Sequence, residues 1–313
     1  MNYQYKKFFL KKIKIIIIII FLYKYYLDMS PLKIKNEVKI ALCTVGRKEN
    51  LYVQEFIEYY INLGIDHIFI YDDNDPNTEK ISSVINPIYK EKITIYDNQT
   101  EKTKYQSRVY NDCYKNNNNK YDWILMIDMD EFLYLTKFSL KSYLTKSIFN
   151  KCDFIKFNWI LPTDNNLIHY DNRSLFKRFP GPYKKSNYVK SVIGGNISEL
   201  KCMVHSPFES PIRNITCNSS GKKIIYKKMN FESMPYNIKE AYIIHFKYKS
   251  TEEYINKYKR GYHLWKGDKL LNVLKTKIFE YLNDNEVTLE KVEYFEKELN
   301  LNLTVFKKIC KTL

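Results

Sequence analysis

The chain has 313 residues, 45% of them hydrophobic and 16% aromatic, enough for one large α/β domain or one domain with an appendage. Its 51 Lys and Arg against 35 Asp and Glu give a net charge of +16. A basic excess attracts phosphate, whether in nucleic acid, membrane surfaces or nucleotide-sugars, although a composition this rich in Lys, Asn, Ile and Tyr places much of the charge on solvated faces. No repeat of solenoid or propeller period is present, no block reads as a long linker, and six Cys without a Cys-x-x-Cys pair argue against a zinc ribbon or a thioredoxin-type motif.

In chain order, Lys6, Lys7, Lys11, Lys12 and Lys14 precede an apolar run from Ile15 to Tyr23. That run is short of the ~20 residues that span a bilayer. Phe8 to Leu27 is long enough but contains lysines, of which those near the ends can snorkel. A signal peptide and a basic surface segment are alternatives. With no small-residue cleavage site following, residues 1–35 read as a retained, single-pass anchor outside the fold. The expected location is membrane-associated, in a Golgi-like lumen if the cell is eukaryotic, with a cytoplasmic location as the alternative. For an exported chain one or two disulfides are expected, Cys202 with Cys217 first, and sequons at Asn98, Asn172, Asn196, Asn214, Asn218 and Asn302 fit a lumenal protein.

From residue 38 short apolar runs alternate with helical periodicity. "VKIALCTV" is a buried strand, "NLYVQEFIEYYINLG" a helix stopped by Gly64, and "HIFIYDD" a strand. "TEKISSVINPIY" reads as a helix interrupted by Pro87, followed by the strand "KITIYD", the helix "KYQSRVYNDCYKNN" and the strand "WILMID". Such alternation implies parallel pairing through right-handed crossovers, hence an open doubly wound sheet. Beyond about residue 145 come the strand "CDFIKFNWI", a loop-rich stretch, antiparallel strands at "ELKCMVHSPF" and "KKIIYKK", and a strand leading into the helix "STEEYINKYKRGYHLW". Ser250 and Glu253 match a capping box at the start of that helix. Residues 270–313 read as amphipathic helices.

The first strand–helix loop, "TVGRKEN", has a single glycine, which disfavours a dinucleotide fingerprint and a P-loop. In open α/β sheets ligands bind outside the carboxyl ends of the strands, and three of these strands end in acid: Asp72 and Asp73, then Asp97, then Asp128, Asp130 and Glu131. A carboxylate rim on a basic protein points to a divalent cation accompanied by phosphate. Strand alternation puts Asp128 and Asp130 on one face, able to share a hard cation, and Glu131 on the other.

"KENLYVQEFIEYYINLGIDHIFIYDDND", "WILMIDMDEFL" and "IHFKYKSTEEYINKYKRG" together resemble the signature segments of glycosyltransferase family 92 and its family 2-like neighbours, over roughly residues 38–265. The resemblance implies a GT-A type, mostly parallel open sheet with flanking helices, a loop-rich acceptor half and a helical tail, with a transferase domain over 36–268 and a C-terminal extension over 269–313. It implies a metal-dependent transfer of a hexose, galactose by family weight, from a UDP-linked donor to a glycan or glycoconjugate acceptor. Mn2+ or Mg2+ is the implied cofactor, and no nucleic acid is expected as a partner. Carried over, Asp130 is a direct metal ligand, Asp128 contacts the ribose or the metal through water, and His245 is a further metal or diphosphate contact. Asp72, Asp73 and Arg47 face the nucleoside, Lys249 and Arg260 the diphosphate, and Lys190 and His205 fall at family positions without a firm role. An inverting transfer needs a carboxylate base, for which Asp164 and Glu199 are the candidates. Two rival readings remain, a metal-dependent enzyme acting on nucleic acid and a non-catalytic carbohydrate-binding relative.

Overall fold

The computed structural model describes residues 37–97, 105–197, 200–205, 207–208, 214–225, 233–259 and 267–312. The expected N-terminal anchor, Glu199 and Arg260 lie outside the described residues. No helix among those described is long and apolar enough to cross a membrane.

Residues 39–313 form one compact unit around a nine-stranded sheet. Four parallel strands open it: β1 (Ile40–Gly46), β2 (His67–Asp72), β3 (Ile93–Asp97) and β4 (Trp123–Met126), in the spatial order β3-β2-β1-β4. Beside β4 the sheet continues through β7 (Tyr183–Gly194), β6 (Phe154–Pro162), β11 (Ala241–His245) and β5 (Glu131–Leu135). β7 runs antiparallel to both its neighbours, β11 parallel to β6, and β5 antiparallel to β11. β10 (Thr216–Asn218) adds to β6, and β8 (Lys201–Cys202) with β9 (Pro207–Phe208) makes a separate two-stranded ribbon. The result is an open, mostly parallel α/β sheet, as the strand–helix alternation implies.

Helix α1 (Asn50–Leu63) buries Phe56, Ile57 and Tyr60 of the stripe that its periodicity gives, leaves Ile61 half-buried and adds Val53. It ends at Gly64, whose φ of +108° suits a residue without Cβ and whose N–H closes the last turn on Ile61 O. Phe56 and Tyr60 pack on Phe132 of β5, and the Tyr60 hydroxyl donates to Glu131 O and accepts from Leu133 N. Helix α2 (Tyr105–Asn117) covers the opposite side of the first strands, where Val109, Tyr110 and Cys113 meet Ala41, Phe69 and Ile124. Between β2 and β3 the interrupted helix expected at 78–89 is instead two short 3-10 turns, Ile81–Ser83 and Pro87–Lys92. Pro87 fixes its own φ and biases Asn86 to extended backbone, so a continuous helix cannot pass through.

The described disulfides join Cys43 to Cys113 and Cys152 to Cys217, while Cys202 is buried and unpaired. The expected Cys202–Cys217 pair is therefore corrected. β10 lies parallel to β6 and brings Cys217 to Cys152, whereas Cys202 packs under α2. After the short helices α3 (Leu140–Leu144) and α4 (Leu175–Arg178), helix α5 (Thr251–Lys259) starts as expected: Glu253 N donates to Ser250 Oγ at 3.3 Å and Ser250 N to Glu253 Oε2 at 3.0 Å. The tail folds as α6 (Gly267–Asp284), α7 (Leu289–Leu299) and α8 (Thr304–Thr312).

Candidate active site

The segment "WILMIDMDEFLYL" holds two strands where the sequence suggests one, ending at "WILMID". β4 ends at Met126, the chain turns through Ile127–Asp130, and β5 begins at Glu131. The alternation that placed Glu131 away from the aspartates holds only within one strand, so the turn overturns it. Glu131 N donates to Asp128 O and Asp128 N to Glu131 Oε2, both at 3.0 Å, folding the three acids around one centre.

Lys190 of β7 reaches this centre. Its fully buried ammonium lies 2.9 Å from Asp128 Oδ1 and 3.5 Å from Glu131 Oε2, and donates to Val204 O at 2.9 Å. Asp128 Oδ1 also accepts from Tyr110 OH at 2.6 Å and Gln106 Nε2 at 2.5 Å. Burial opposes the charge on Lys190, but Asp128 and Glu131 outweigh it and hold the ammonium above its ordinary value. Burial dominates at Glu131, pushing its carboxyl well up against the pull of Lys190.

His245 ends β11 directly opposite Glu131 in the register. Its Nε2 is 3.5 Å from Asp130 Oδ1, and its Nδ1 is 3.9 Å from Glu131 Oε1. Asp130 Oδ2 accepts from Lys257 of α5 at 2.8 Å. Burial alone would raise the Asp130 carboxyl, yet Lys257 and His245 hold it well below the usual carboxylate range. Burial lowers His245 and Asp130 opposes that, so a neutral imidazole faces an ionised carboxylate. Glu131 Oε1 and His245 Nδ1 are both buried without a hydrogen-bond partner.

Among the described residues no group of three His, Cys, Asp or Glu side chains stands ready to enclose a metal. The pair Asp130 and His245 still fits a hard divalent ion, because such ions are commonly held by one or two protein donors with phosphate and water completing the shell.

Next to this centre opens a cleft of about 310 Å³, lined among others by Lys48, Glu49, Tyr52, Lys249, Glu253 and Lys257. The Lys249 ammonium lies 3.4 Å from Glu49 Oε2 and 3.4 Å over the Tyr52 ring. Burial lowers its pKa and Glu49 opposes that. Lys48 and Lys249 both hold positive φ, 54° and 56°, a backbone strain that collects at functional sites. Below them Glu253 binds Arg178 at 2.6 Å and Tyr52 OH at 2.5 Å, fixing the cleft floor.

Of the expected site residues, the fold gathers Asp128, Asp130, Lys190 and His245 at one centre, with Lys249 in the adjoining cleft. Arg47, after β1, donates to Asp73 O at 2.8 Å and pairs with Asp75 at 2.9 Å, so Arg47 and Asp73 share the rim at β1 and β2. Asp72 is turned inward: its two oxygens accept from Asn74 N and Ile81 N, which shapes the turn. Asp164 is engaged by other partners. Only 1% exposed, it accepts from Tyr281 OH at 2.6 Å and pairs with the buried Lys291 at 2.7 Å, tying the loop after β6 to α6 and α7. Sequence reasoning missed Gln106, Tyr110, Glu49 and Lys257. The first two sit four residues apart on one helix face, and Lys257 lies within the quoted "STEEYINKYKRG".

The model of the family described as glycosyltransferase family 92 matches residues 36–265. A glycosyltransferase family 92 protein of Ricinus communis is 28% identical over 97 residues, 31% of this chain and 17% of that protein, so the chain spans about one-sixth of that relative's length. Two solved structures of S. aureus TarS are similar at 11% and 10% identity, covering 83% and 84% of this chain and 79% and 48% of theirs, each with a TM-score of 0.33. Scores this low do not establish a shared fold, and the α/β assignment rests on the strand order.

Proposed function

This chain belongs to glycosyltransferase family 92, and we propose that it is a glycosyltransferase that moves a hexose from a UDP-linked donor to a glycan or glycoconjugate hydroxyl with the help of Mn2+ or Mg2+. The observation that carries this reading is the adjacency of Asp130 and His245 to a cleft bearing Lys249 and Lys257. A diphosphate is the ligand that matches both halves, since its oxygens suit a cation on one side and ammonium groups on the other. When bound, the metal ion neutralises the charge that builds on the departing diphosphate.

Asp130 and His245 would hold the ion, with Asp128 beside them fixed by Lys190, Tyr110 and Gln106. Lys257 orients Asp130 from the far oxygen, and Lys249 supplies positive charge within the cleft. Arg47 and Asp73, at the rim of β1 and β2, face the nucleoside in this reading. For an inverting displacement the acceptor oxygen bonds to the anomeric carbon as the carbon–phosphate oxygen bond breaks, and the hydroxyl proton passes to a base. With Asp164 engaged elsewhere, Glu199 is the remaining carboxylate proposed for that proton. Arg260 is proposed as a second cation on the diphosphate, and residues 1–35 as the membrane anchor. Recovery of the full-length chain in the soluble fraction of lysed cells would remove the anchor.

The test is a panel of nucleotide-sugars incubated with the protein, with Mn2+ or with chelator. UDP-hexose hydrolysis that requires the metal is expected. Turnover of none of them, or turnover indifferent to chelation, would overturn the metal-dependent transferase reading.

A further inference from the structure

The register of four adjacent strands sets a second group of side chains on the face that carries the carboxylates. Glu131 of β5 lies opposite His245 of β11, and Ile243, two residues before His245, lies opposite Trp159 of β6. Lys190 of β7 pairs with Phe157, two residues before Trp159, and Tyr188 is two residues before Lys190. Alternation and the ion contacts set Glu131, His245 and Lys190 on one side, while the β6–β7 register shifts between Asn158 and Ile160, so Trp159 and Tyr188 are placed there by their ring contacts. The rings confirm the row. Trp159 meets His245 edge to face at 4.4 Å and lies tilted against Tyr188 at 5.6 Å, while His205, on the turn that Lys190 holds through Val204 O, meets Trp159 at 5.2 Å.

Two features of this row are unexplained by the folding of the chain. Trp159 Nε1 and His205 Nδ1 are buried without a hydrogen-bond partner, as is His245 Nδ1. An orphaned buried polar group costs about 1–3 kcal/mol, and such groups are rare unless something else satisfies them. Tyr188, at the outer end, is 52% exposed although its ring packs, tilted by 32°, against a buried Trp.

We infer that the Tyr188–Trp159–His205 row is a pyranose subsite beside the metal and diphosphate centre. A sugar ring matches it on both counts: its axial C–H face lies on an aromatic ring, and its hydroxyls both accept from the indole N–H and pair with an imidazole. The same chemistry belongs to the donor's hexose and to an acceptor glycan, and this assignment of the row to a sugar rests on the glycosyl-transfer reading.

The test uses Tyr188→Ala, which changes an exposed side chain, and Trp159→Phe, which keeps an aromatic fill and deletes the indole N–H. Thermal melts of both variants establish that they fold. Binding of methyl galactoside, methyl glucoside and methyl N-acetylglucosaminide is followed by saturation-transfer NMR, and UDP-galactose and UDP by calorimetry. About tenfold weaker methyl-glycoside binding in either variant assigns the row to the acceptor. About tenfold weaker UDP-galactose binding with UDP unchanged assigns it to the donor's sugar. Unchanged affinities for every sugar in both folded variants would overturn the subsite. A wild-type protein that binds a methyl glycoside through Tyr188 yet no UDP-sugar would leave the subsite standing and remove the donor reading instead.

Discussion

Replacing Lys190 by Met tests how the carboxylate centre is held. Lys190 is fully buried and sets its ammonium 2.9 Å from Asp128 and 3.5 Å from Glu131. Methionine keeps the unbranched length but removes the charge and the donor to Val204 O. Losing one partner of a buried pair costs about 3–5 kcal/mol. Here Asp128 retains 26% side-chain exposure and its bonds to Tyr110 and Gln106, so water and those donors pull the cost to the lower end, about 3 kcal/mol. Against the ~5–15 kcal/mol typical of a domain that loss is large and measurable. The assay is urea unfolding of wild type, Lys190→Met, Asp128→Asn and the double variant. Asp128→Asn in the Lys190→Met background should recover about 1–2 kcal/mol, because the uncompensated charge is gone. A Lys190→Met loss under about 1 kcal/mol, or strictly additive variants, would refute the idea that a buried countercharge organises the centre.

Further outcomes follow from other parts of the molecule. The Cys43–Cys113 and Cys152–Cys217 disulfides close sequence separations of 70 and 65 residues, so by chain entropy each stabilises the fold by about 4 kcal/mol. Peptide mapping without reductant should recover those two pairs with Cys202 free, and a Cys202–Cys217 peptide would contradict the strand pairing of β10 with β6. Burial alone would raise the Glu253 carboxyl, but hydrogen bonds from Arg178, Ser250 and Tyr52 hold it below 4.5. A depressed folded pKa gives stability that is full above the unfolded value and lost as pH falls through the folded one. Acid unfolding below about pH 4.5 should therefore flatten in Glu253→Gln, and an unaltered acid limb would count against this pairing. Asp164→Asn should cost about 3 kcal/mol by leaving Lys291 unpaired, with UDP-hexose turnover per folded molecule retained. Abolished turnover in a variant of wild-type stability would return Asp164 to the chemistry.

The alternation of apolar runs with helical stripes was enough to read β1, α1, β2, β3, α2 and β4, because each buries its pattern locally against the sheet. The capping box at Ser250 and the Gly64 stop were legible for the same reason, being set by residues within one turn. What escaped depends on partners far away in the chain. Glu131 reads as leaving the aspartates until the turn at Ile127–Asp130 is known, and only β11, arriving more than a hundred residues later, sets His245 against it. Asp164 looks like a free loop carboxylate until Tyr281 and Lys291 reach it from α6 and α7. Asp72 shows the opposite case, where a strand-end acid serves its own turn nine residues on. The cysteines mispaired because proximity in sequence was weighed without the parallel placement of β10.

The central claim is that Asp130 joins a divalent cation to the donor's diphosphate, and calorimetric titration of UDP-galactose into wild type and Asp130→Asn, each with Mn2+ and with EDTA, tests it most directly. The account predicts binding to wild type that requires Mn2+ and is lost in a folded Asp130→Asn. Equal affinity in both proteins, or in both buffers, would contradict it.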